Sequence, residues 1–325
     1  MRRAVVVMNL GGPDSPQAVR PFLYNLFSDP AIINLPSALR LPLAALIAAR
    51  RNRTAQQIYA HLGGSSPLLA NTRAQAAALQ EALGDGSRCF IAMRYWHPMT
   101  AAAVAAVKAW QPDDIVLLPL YPQFSTTTTA SSLAEWRREA FRQDLSVITR
   151  TIRSYPTAPG LVAALAAAVG ELLDAGDAPS RVLFSAHGLP LKIVRAGDPY
   201  PQQVEQTAAA VAAALGRPQL DWRVCYQSRV GPLAWLAPSI DEELCRAGSD
   251  RVGVIVAPIS FVSEHSETLV ELDRDYRRLA EDYGVPSYRR APAVGTDPRF
   301  IAALAELVRR AASQAAAERE VPAPA

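Results

Sequence analysis

The sequence predicts an α/β protein made of two Rossmann-like, doubly wound domains whose parallel sheets face a common cleft. Three observations carry that prediction. Short apolar runs alternate with Ala-rich stretches of helical period along the chain. The 26 prolines gather at the ends of those runs and in loops. A weak duplication repeats one strand-and-turn order in each half. Strand then helix, repeated, closes parallel sheets through right-handed crossovers.

In the first half, strands are expected near residues 4–9, 89–94, 115–120 and 147–151. Helices are expected near 16–28, 68–83, 100–110 and 129–143. Met1-Arg2-Arg3 runs directly into the first strand without a long apolar core or a small-residue cleavage site, so no export signal is expected. Residues 34–53 are apolar, broken by Pro36 and Pro42, and end in Arg50-Arg51-Asn52-Arg53. They read either as a core helix with solvated arginines or as an apolar lip over the cleft. In the second case the guanidinium groups are placed for ligand carboxylates. Gly63-Gly-Ser-Ser-Pro67 follows, with backbone N–H groups and hydroxyls suited to the same anion.

The domain break is set at residues 152 and 153, giving domains 1–152 and 153–325. In the second, strands are expected near 181–186, 222–226 and 252–257, and helices near 160–174, 201–215, 233–247, 266–282 and 298–317. The last helix is expected to pack back on the first domain, and the tail Val321–Ala325 to fray.

Composition narrows the classes. A chain of 325 residues, 50% hydrophobic and 19% charged, is globular and buries a full core. A net charge of +3 gives no argument for nucleic acid. Cys89, Cys225 and Cys245 are far apart and show no CxxC spacing, so reduced thiols in a cytoplasmic setting fit best. No apolar run reaches the ~18 residues needed to span a bilayer. The stretch 161–173 comes nearest, and Glu171 interrupts it.

The duplication aligns Val7-Met-Asn-Leu-Gly-Gly-Pro13 with Phe184-Ser-Ala-His-Gly-Leu-Pro190, and the strand leading to Tyr121 with the one leading to Ser260. Leu10 then occupies the place that His187 takes in the second half. His187 ends an apolar strand, and ligands of open α/β sheets bind at the carboxyl ends of strands. A neutral imidazole there can accept a proton or hold a metal. After the strand at 252–257, Glu264, Glu267, Thr268, Glu271 and Asp275 form one stripe of a helical wheel. That stripe is either a solvated helix face or one wall of the crevice. As a wall it would pair His187 with a carboxylate, as a base and acid or as an N/O ligand set for a divalent metal. His265 is expected to pack against apolar neighbours and His61 to close a helix before a glycine cap. His97 follows a strand end and is a candidate to line the cleft. Asn9-Leu-Gly-Gly-Pro13 is not GxGxxG and lacks a P-loop lysine, which argues against nucleotide binding.

Taken in order, Ser185-Ala-His-Gly-Leu-Pro190, Gly197-Asp-Pro-Tyr-Pro201, Tyr226-Gln-Ser-Arg-Val-Gly-Pro232, Trp235 and His265-Ser-Glu-Thr-Leu-Val-Glu-Leu-Asp273 resemble the ferrochelatases, enzymes that insert ferrous iron into a porphyrin. The resemblance runs from about residue 5 to residue 310, and Asn9–Pro13, Arg94-Tyr95 and Tyr121-Pro-Gln agree with it. It implies that the cleft holds protoporphyrin IX, with His187 and Glu267 as the catalytic and metal-contacting pair on opposite sides. Glu264 and Glu271 are implied as a relay behind Glu267. Leu10, Arg50, Arg51, Ser66, Arg94, Tyr95, Tyr121 and Trp235 are implied as porphyrin contacts. Fe²⁺ is a substrate and no resident cofactor is implied. Some members carry a [2Fe–2S] cluster, but Thr126 stands at its first cysteine position and no cysteine follows Cys245.

Leu10 favours protoporphyrin over coproporphyrin, since some coproporphyrin-using members carry a tyrosine in that loop. The lip at 35–49 with its arginines implies peripheral contact with the inner face of a membrane. Two other readings of the same residues are a non-catalytic tetrapyrrole carrier and a Ser–His–Glu hydrolase. The second lacks a GxSxG elbow.

Overall fold

In the computed structural model, which describes residues 2–176, 179–229, 231 and 233–319, two four-stranded parallel sheets have the same strand order. The first sheet is β2-β1-β3-β4, from β1 (Arg3–Asn9), β2 (Ser87–Met93), β3 (Asp114–Pro119) and β4 (Thr149–Thr151). The second is β6-β5-β7-β8, from β5 (Ser180–His187), β6 (Trp222–Gln227), β7 (Gly253–Pro258) and β8 (Tyr288–Arg290). The duplication read from sequence is therefore a duplication of topology. It extends to a feature the sequence did not disclose: a π-helical segment follows the third strand of each half, at Thr126–Ala130 and Glu267–Asp275.

The helices are α1 (Val19–Phe27), α2 (Ser37–Ala60), α3 (Leu68–Leu83), α4 (Thr100–Trp110), α5 (Ser131–Arg142), α6 (Pro159–Asp174), α7 (Leu191–Arg195), α8 (Tyr200–Ala214), α9 (Ile240–Asp250), α10 (Tyr276–Asp282) and α11 (Pro298–Arg319). Most expected elements stand within a few residues of these bounds. The helix expected at 233–247 instead begins at Ile240. Ser239 and Glu242 form a reciprocal capping box that fixes this start, and Pro238 precedes it. The single helix expected at 266–282 is the π-helical segment followed by α10. The strand expected at 147–151 shortens to β4, and β8, three residues of Tyr-Arg-Arg, is too short and polar to show a period. Val321–Ala325, Val230 and Pro232 lie outside the described residues.

Alternation along the strands loads both faces of each sheet with apolar side chains, as parallel sheets require. Val5, Val7, Val116 and Leu118 of the first sheet and Val182, Phe184, Ala186, Ile255 and Ala257 of the second belong to one continuous core. α3, α6, α8 and α11 fill the space between the sheets with Leu79, Leu165, Val204 and Leu304. The outer faces have their own clusters, around Trp136 in the first half and Leu244 in the second. α11 packs on α3 as well as α6, and Arg309 donates to the Ala82 carbonyl at 2.6 Å.

Polar ties cross the same seam. Gln75 donates to the Val262 and Gly295 carbonyls at 2.7 and 2.9 Å. Gln123 donates to Thr207 at 2.8 Å and to the Ile259 carbonyl at 3.1 Å. Buried Asp198 accepts from the Ser125 hydroxyl, the Thr126 hydroxyl and the Thr126 N–H at 2.6–3.0 Å, which anchors the first π-helical segment to the second half.

α6 and α11 approach so closely that a Cβ on Gly160 would run into the Arg299 carbonyl oxygen. Gly160→Ala must push these helices apart, at a cost of about 1–3 kcal/mol. The expected outcome is a lower melting temperature with unchanged secondary structure; a wild-type melting curve would show that the close approach carries no weight.

Candidate active site

The carboxyl ends of the second sheet's strands carry the polar chemistry. β5 and β7 are hydrogen-bonded neighbours, with Ser185 opposite Pro258. The residue ending β5, His187, therefore meets the segment that follows β7. The His187 N–H donates to the Ser260 hydroxyl at 3.2 Å. Its Nδ1 lies 2.6 Å from the Gly188 carbonyl. A carbonyl only accepts, which assigns the ring proton to Nδ1 and leaves the Nε2 lone pair free. Nε2 is 3.7 Å from Glu267 Oε1.

That distance corrects one expectation: His187 and Glu267 are not on opposite sides of the cleft. No macrocycle fits between atoms so close, so the two groups stand together on one side. The physical reason is the parallel pairing of β5 with β7, whose spacing of ~4.8 Å brings their carboxyl ends together.

The structure adds a third group that sequence reasoning had assigned to packing. His265 does pack on Phe261, at 4.6 Å between ring centres, but its Nε2 also lies 3.6 Å from Glu267 Oε2. Glu267 is thus bracketed by two imidazoles. With His187 neutral, its unprotonated Nε2 faces a carboxylate oxygen, an arrangement that favours a proton or cation between them. Burial pushes the Glu267 carboxyl up, but positive charge on His187 and a hydrogen bond and charge from His265 outweigh it and hold the group below the ordinary range.

One helical turn on, Glu271 goes the other way. Burial and repulsion from Glu267 raise it, against hydrogen bonds from Ser228. The Ser228 N–H and hydroxyl donate to its two oxygens at 2.9 and 2.6 Å. Adjacent carboxylates driven in opposite directions are suited to divide the roles of proton acceptor and proton store. Gln227, fully buried at the end of β6, joins these parts. Its side chain accepts from Ser185 at 2.7 Å and donates to the Glu267 carbonyl at 3.2 Å, and its own carbonyl accepts from the Gly188 N–H at 2.8 Å.

Glu264 does not stand behind Glu267. Arg290 and the Ala293 N–H donate to its Oε1, both at 2.9 Å, and Arg290 also grips Asp273 with two 2.7 Å bonds. Glu264 precedes the π-helical segment, so the wheel that aligned it with Glu267 does not apply, and it leaves the expected relay.

The remaining expected contacts divide into two groups. Leu10 is half-buried and packs with Val19, Phe22 and Tyr59 beside the lip helices. Arg50 and Arg51 are exposed on α2, and neither has an ion-pair partner among the described residues; Arg51 lies over the Phe27 ring at 5.8 Å. Half-buried Ser66 follows the glycine turn, with its N–H on the Pro13 carbonyl at 2.7 Å. Tyr121 and Trp235 are half-buried, and the Trp235 indole N–H is sealed from water without a partner among the described residues. Burial raises the Tyr121 phenol. The Trp235 ring lies against the loop after His187, within 3.3 Å of where a Gly188 Cβ would stand.

Arg94 and Tyr95 form the second group, and for them the expectation of porphyrin contact is corrected. Tyr95 is fully buried and donates to Asp29 at 2.7 Å. Arg94 is committed to Asp29 at 2.6 Å and to Ser131 at 2.7 Å. Both are spent inside the protein. His97 is exposed and edge-on to Trp96, and His61 is exposed at the end of α2.

The fold defines a class, two-sheet α/β proteins that share their topology with SirB and CbiX. SirB from Bacillus subtilis with Fe³⁺ superposes with a TM-score of 0.59 at 15% identity, covering 98% of both chains. CbiX, described as the terminal enzyme of sirohaem biosynthesis in denitrifying bacteria, superposes with a TM-score of 0.50 at 17% identity over 95% of this chain and 99% of its own. At such identities the likeness is one of fold. The ferrochelatase family model matches residues 2–312, and the chain belongs to the ferrochelatase family. It is 55% identical over 319 residues to the ferrochelatase of Caulobacter vibrioides (strain NA1000 / CB15N), covering 96% of this chain and 91% of that one. It is 48% identical over 314 residues to that of Wolbachia sp. subsp. Drosophila simulans (strain wRi), covering 94% and 98%.

Arg290 offers a test of how the acidic segment is held. Its side chain is 9% exposed between Glu264 and Asp273. Arg290→Met should cost at least about 2 kcal/mol at neutral pH, because two half-buried carboxylates lose their partner. Burial raises Glu264, but Thr268 and Arg290 outweigh it, so its folded value is depressed. Stability from a depressed carboxyl is complete above its unfolded value of about 4.3 and is lost as pH falls through the folded value. The gap between wild type and Arg290→Met in urea unfolding should therefore narrow below about pH 4. A gap independent of pH would contradict this account.

Proposed function

We propose that this ferrochelatase takes protoporphyrin IX as its porphyrin and metallates it with Fe²⁺, releasing two protons. The carrying observation is the Nε2–Oε1 separation of 3.7 Å between His187 and Glu267, with the Nε2 lone pair of His187 left free by a fixed tautomer. Iron enters a macrocycle whose centre holds two N–H protons, so a pyrrole must tilt and both protons must leave. His187 Nε2 takes a pyrrole proton. Glu267, held ionised, stabilises the imidazolium that forms, and Glu271, the more easily protonated of the pair, stores the proton before the cycle repeats for the second. Apolar burial supplies binding free energy of roughly 25 cal/mol per Å², part of which offsets a ring strain of about 1–5 kcal/mol. Arg50, Arg51 and Ser66 hold the propionates; Leu10, Tyr121 and Trp235 contact the macrocycle.

Two exposed arginines and an apolar Leu10 support a porphyrin with few carboxylates over coproporphyrin. No resident cofactor enters this scheme: the Thr126 hydroxyl is engaged by Asp198. The protein acts in the cytoplasm, with its lip at a membrane surface. On that lip Leu35, Leu39, Leu41 and Leu46 are 38–61% exposed beside the arginines. No helix among the described residues is long and apolar enough to cross a membrane.

Two experiments test this reading. Under anaerobic conditions, Glu267→Gln should metallate protoporphyrin IX at least about 100-fold more slowly while still binding it. Wild-type turnover in that variant, or a higher kcat/KM for coproporphyrin in the native protein, would count against the assignment. Leu39→Ser combined with Leu46→Ser should abolish co-sedimentation with anionic liposomes; unchanged sedimentation would remove the membrane contact.

A further inference from the structure

The lip helices α1 and α2 pack chiefly on each other, and a buried carboxylate ties them to the residues after β2 and to α5. Asp29, 4% exposed, lies in the turn after α1. Its Oδ2 receives three donors from two other elements: Arg94 Nη2 at 2.6 Å and the Tyr95 hydroxyl at 2.7 Å, both just past β2, and the hydroxyl of Ser131, the first residue of α5. Its Oδ1 accepts from the Ala31 N–H at 2.8 Å, and its carbonyl from the Ile32 and Ile33 N–H groups at 3.0 and 2.9 Å. The same residue thus shapes the turn into the lip and fastens that turn to the sheet. Asn25 adds a second tie, donating to the Tyr95 carbonyl at 3.0 Å.

The other side of the joint is the cleft. Tyr95 belongs to the cluster that contains Leu10 and Tyr59, so the hub touches the residues between the lip and the end of β1. α2 carries Arg50 and Arg51 and reaches the protein interior mainly through two small side chains, Ala44 and Ala48, and through Tyr59. A helix seated on alanines has little side-chain bulk to fix its rotation. A carboxylate whose lone pairs are saturated by donors from three directions supplies that constraint, because each hydrogen bond has a narrow range of angle.

We propose that Asp29 is a positioning residue that sets the lip over the cleft, so that Arg94 and Tyr95 govern porphyrin affinity through it without touching the porphyrin. The proposal rests on the reading of the cleft as a porphyrin site. Asp29→Asn conserves shape but turns an amide NH₂, or a weaker acceptor, toward three donors. The test is steady-state metallation of protoporphyrin IX by Fe²⁺, with the porphyrin Kd measured by tryptophan quenching. The porphyrin KM and Kd should rise about ten-fold, while kcat stays within about two-fold and the KM for Fe²⁺ does not move.

A purely structural role would lower the active fraction and leave KM alone. An unchanged porphyrin KM, or a fall in kcat at constant KM, overturns the proposal. Should Asp29→Asn fail to fold, Tyr95→Phe removes a single donor, and its porphyrin KM should rise about three-fold; a flat KM there overturns the proposal equally. If the native protein binds no porphyrin, the reading of the site fails instead, and the two failures are distinct.

Discussion

The parallel pairing of β5 with β7 is the constraint on which the site depends. It sets the separation of two chain segments by main-chain hydrogen bonds, before any side chain is chosen. His187 closes one strand and Glu267 opens the segment after the other, so the imidazole and the carboxylate meet at 3.7 Å. Gln227 on β6 extends the same logic to a third strand, with its amide and carbonyl tied to both sides. The separation of imidazole and carboxylate is thus inherited from a ladder whose register is protected by a sheet buried on both faces.

The duplication explains why the site is one-sided. Each half has the same strand order and the same π-helical segment after its third strand. In the second half that segment opens with Glu267 and sits beside His187. In the first half it is Thr126–Ala130, and the residue matching His187 is Leu10. One frame thus carries an apolar residue after its first strand in one half and a polar cluster in the other. A π-helical turn sacrifices hydrogen-bond geometry and recurs at functional sites. Here it carries the Glu267–Glu271 pair, and the opposed pulls on those carboxyls come from the imidazoles on one side and burial on the other.

How much of this was legible depends on whether the signal was local. Strand and helix order, the duplication, His187 and Glu267 were all visible, because apolar periodicity and strand-end position are local properties. The capping box at Ser239 and Glu242 is local too, and its Ser-x-x-Glu spacing marks the start of α9. The side of the cleft on which Glu267 stands was not legible, since it depends on which strands pair. His265 was half legible: its apolar position implied packing, and the second nitrogen needed coordinates. Arg94 and Tyr95 were misread as contacts because a motif records that residues are needed and not what they face. Their partner, Asp29, is 65 residues from Arg94 in sequence, and no spacing rule links them.

The shared core between the sheets has a consequence for biosynthesis. The inner face of the first sheet, with Val5, Val7, Val116 and Leu118, is covered partly by α11, which leaves the ribosome well after that sheet could pair. The emerging amino-terminal half therefore carries an apolar surface that only later segments can cover. Contacts of such long sequence separation slow folding and prolong the exposure of sticky intermediates. The two sheets are a repeat in topology, but they are a single unit of assembly, and neither half can be expected to persist as an independent globule.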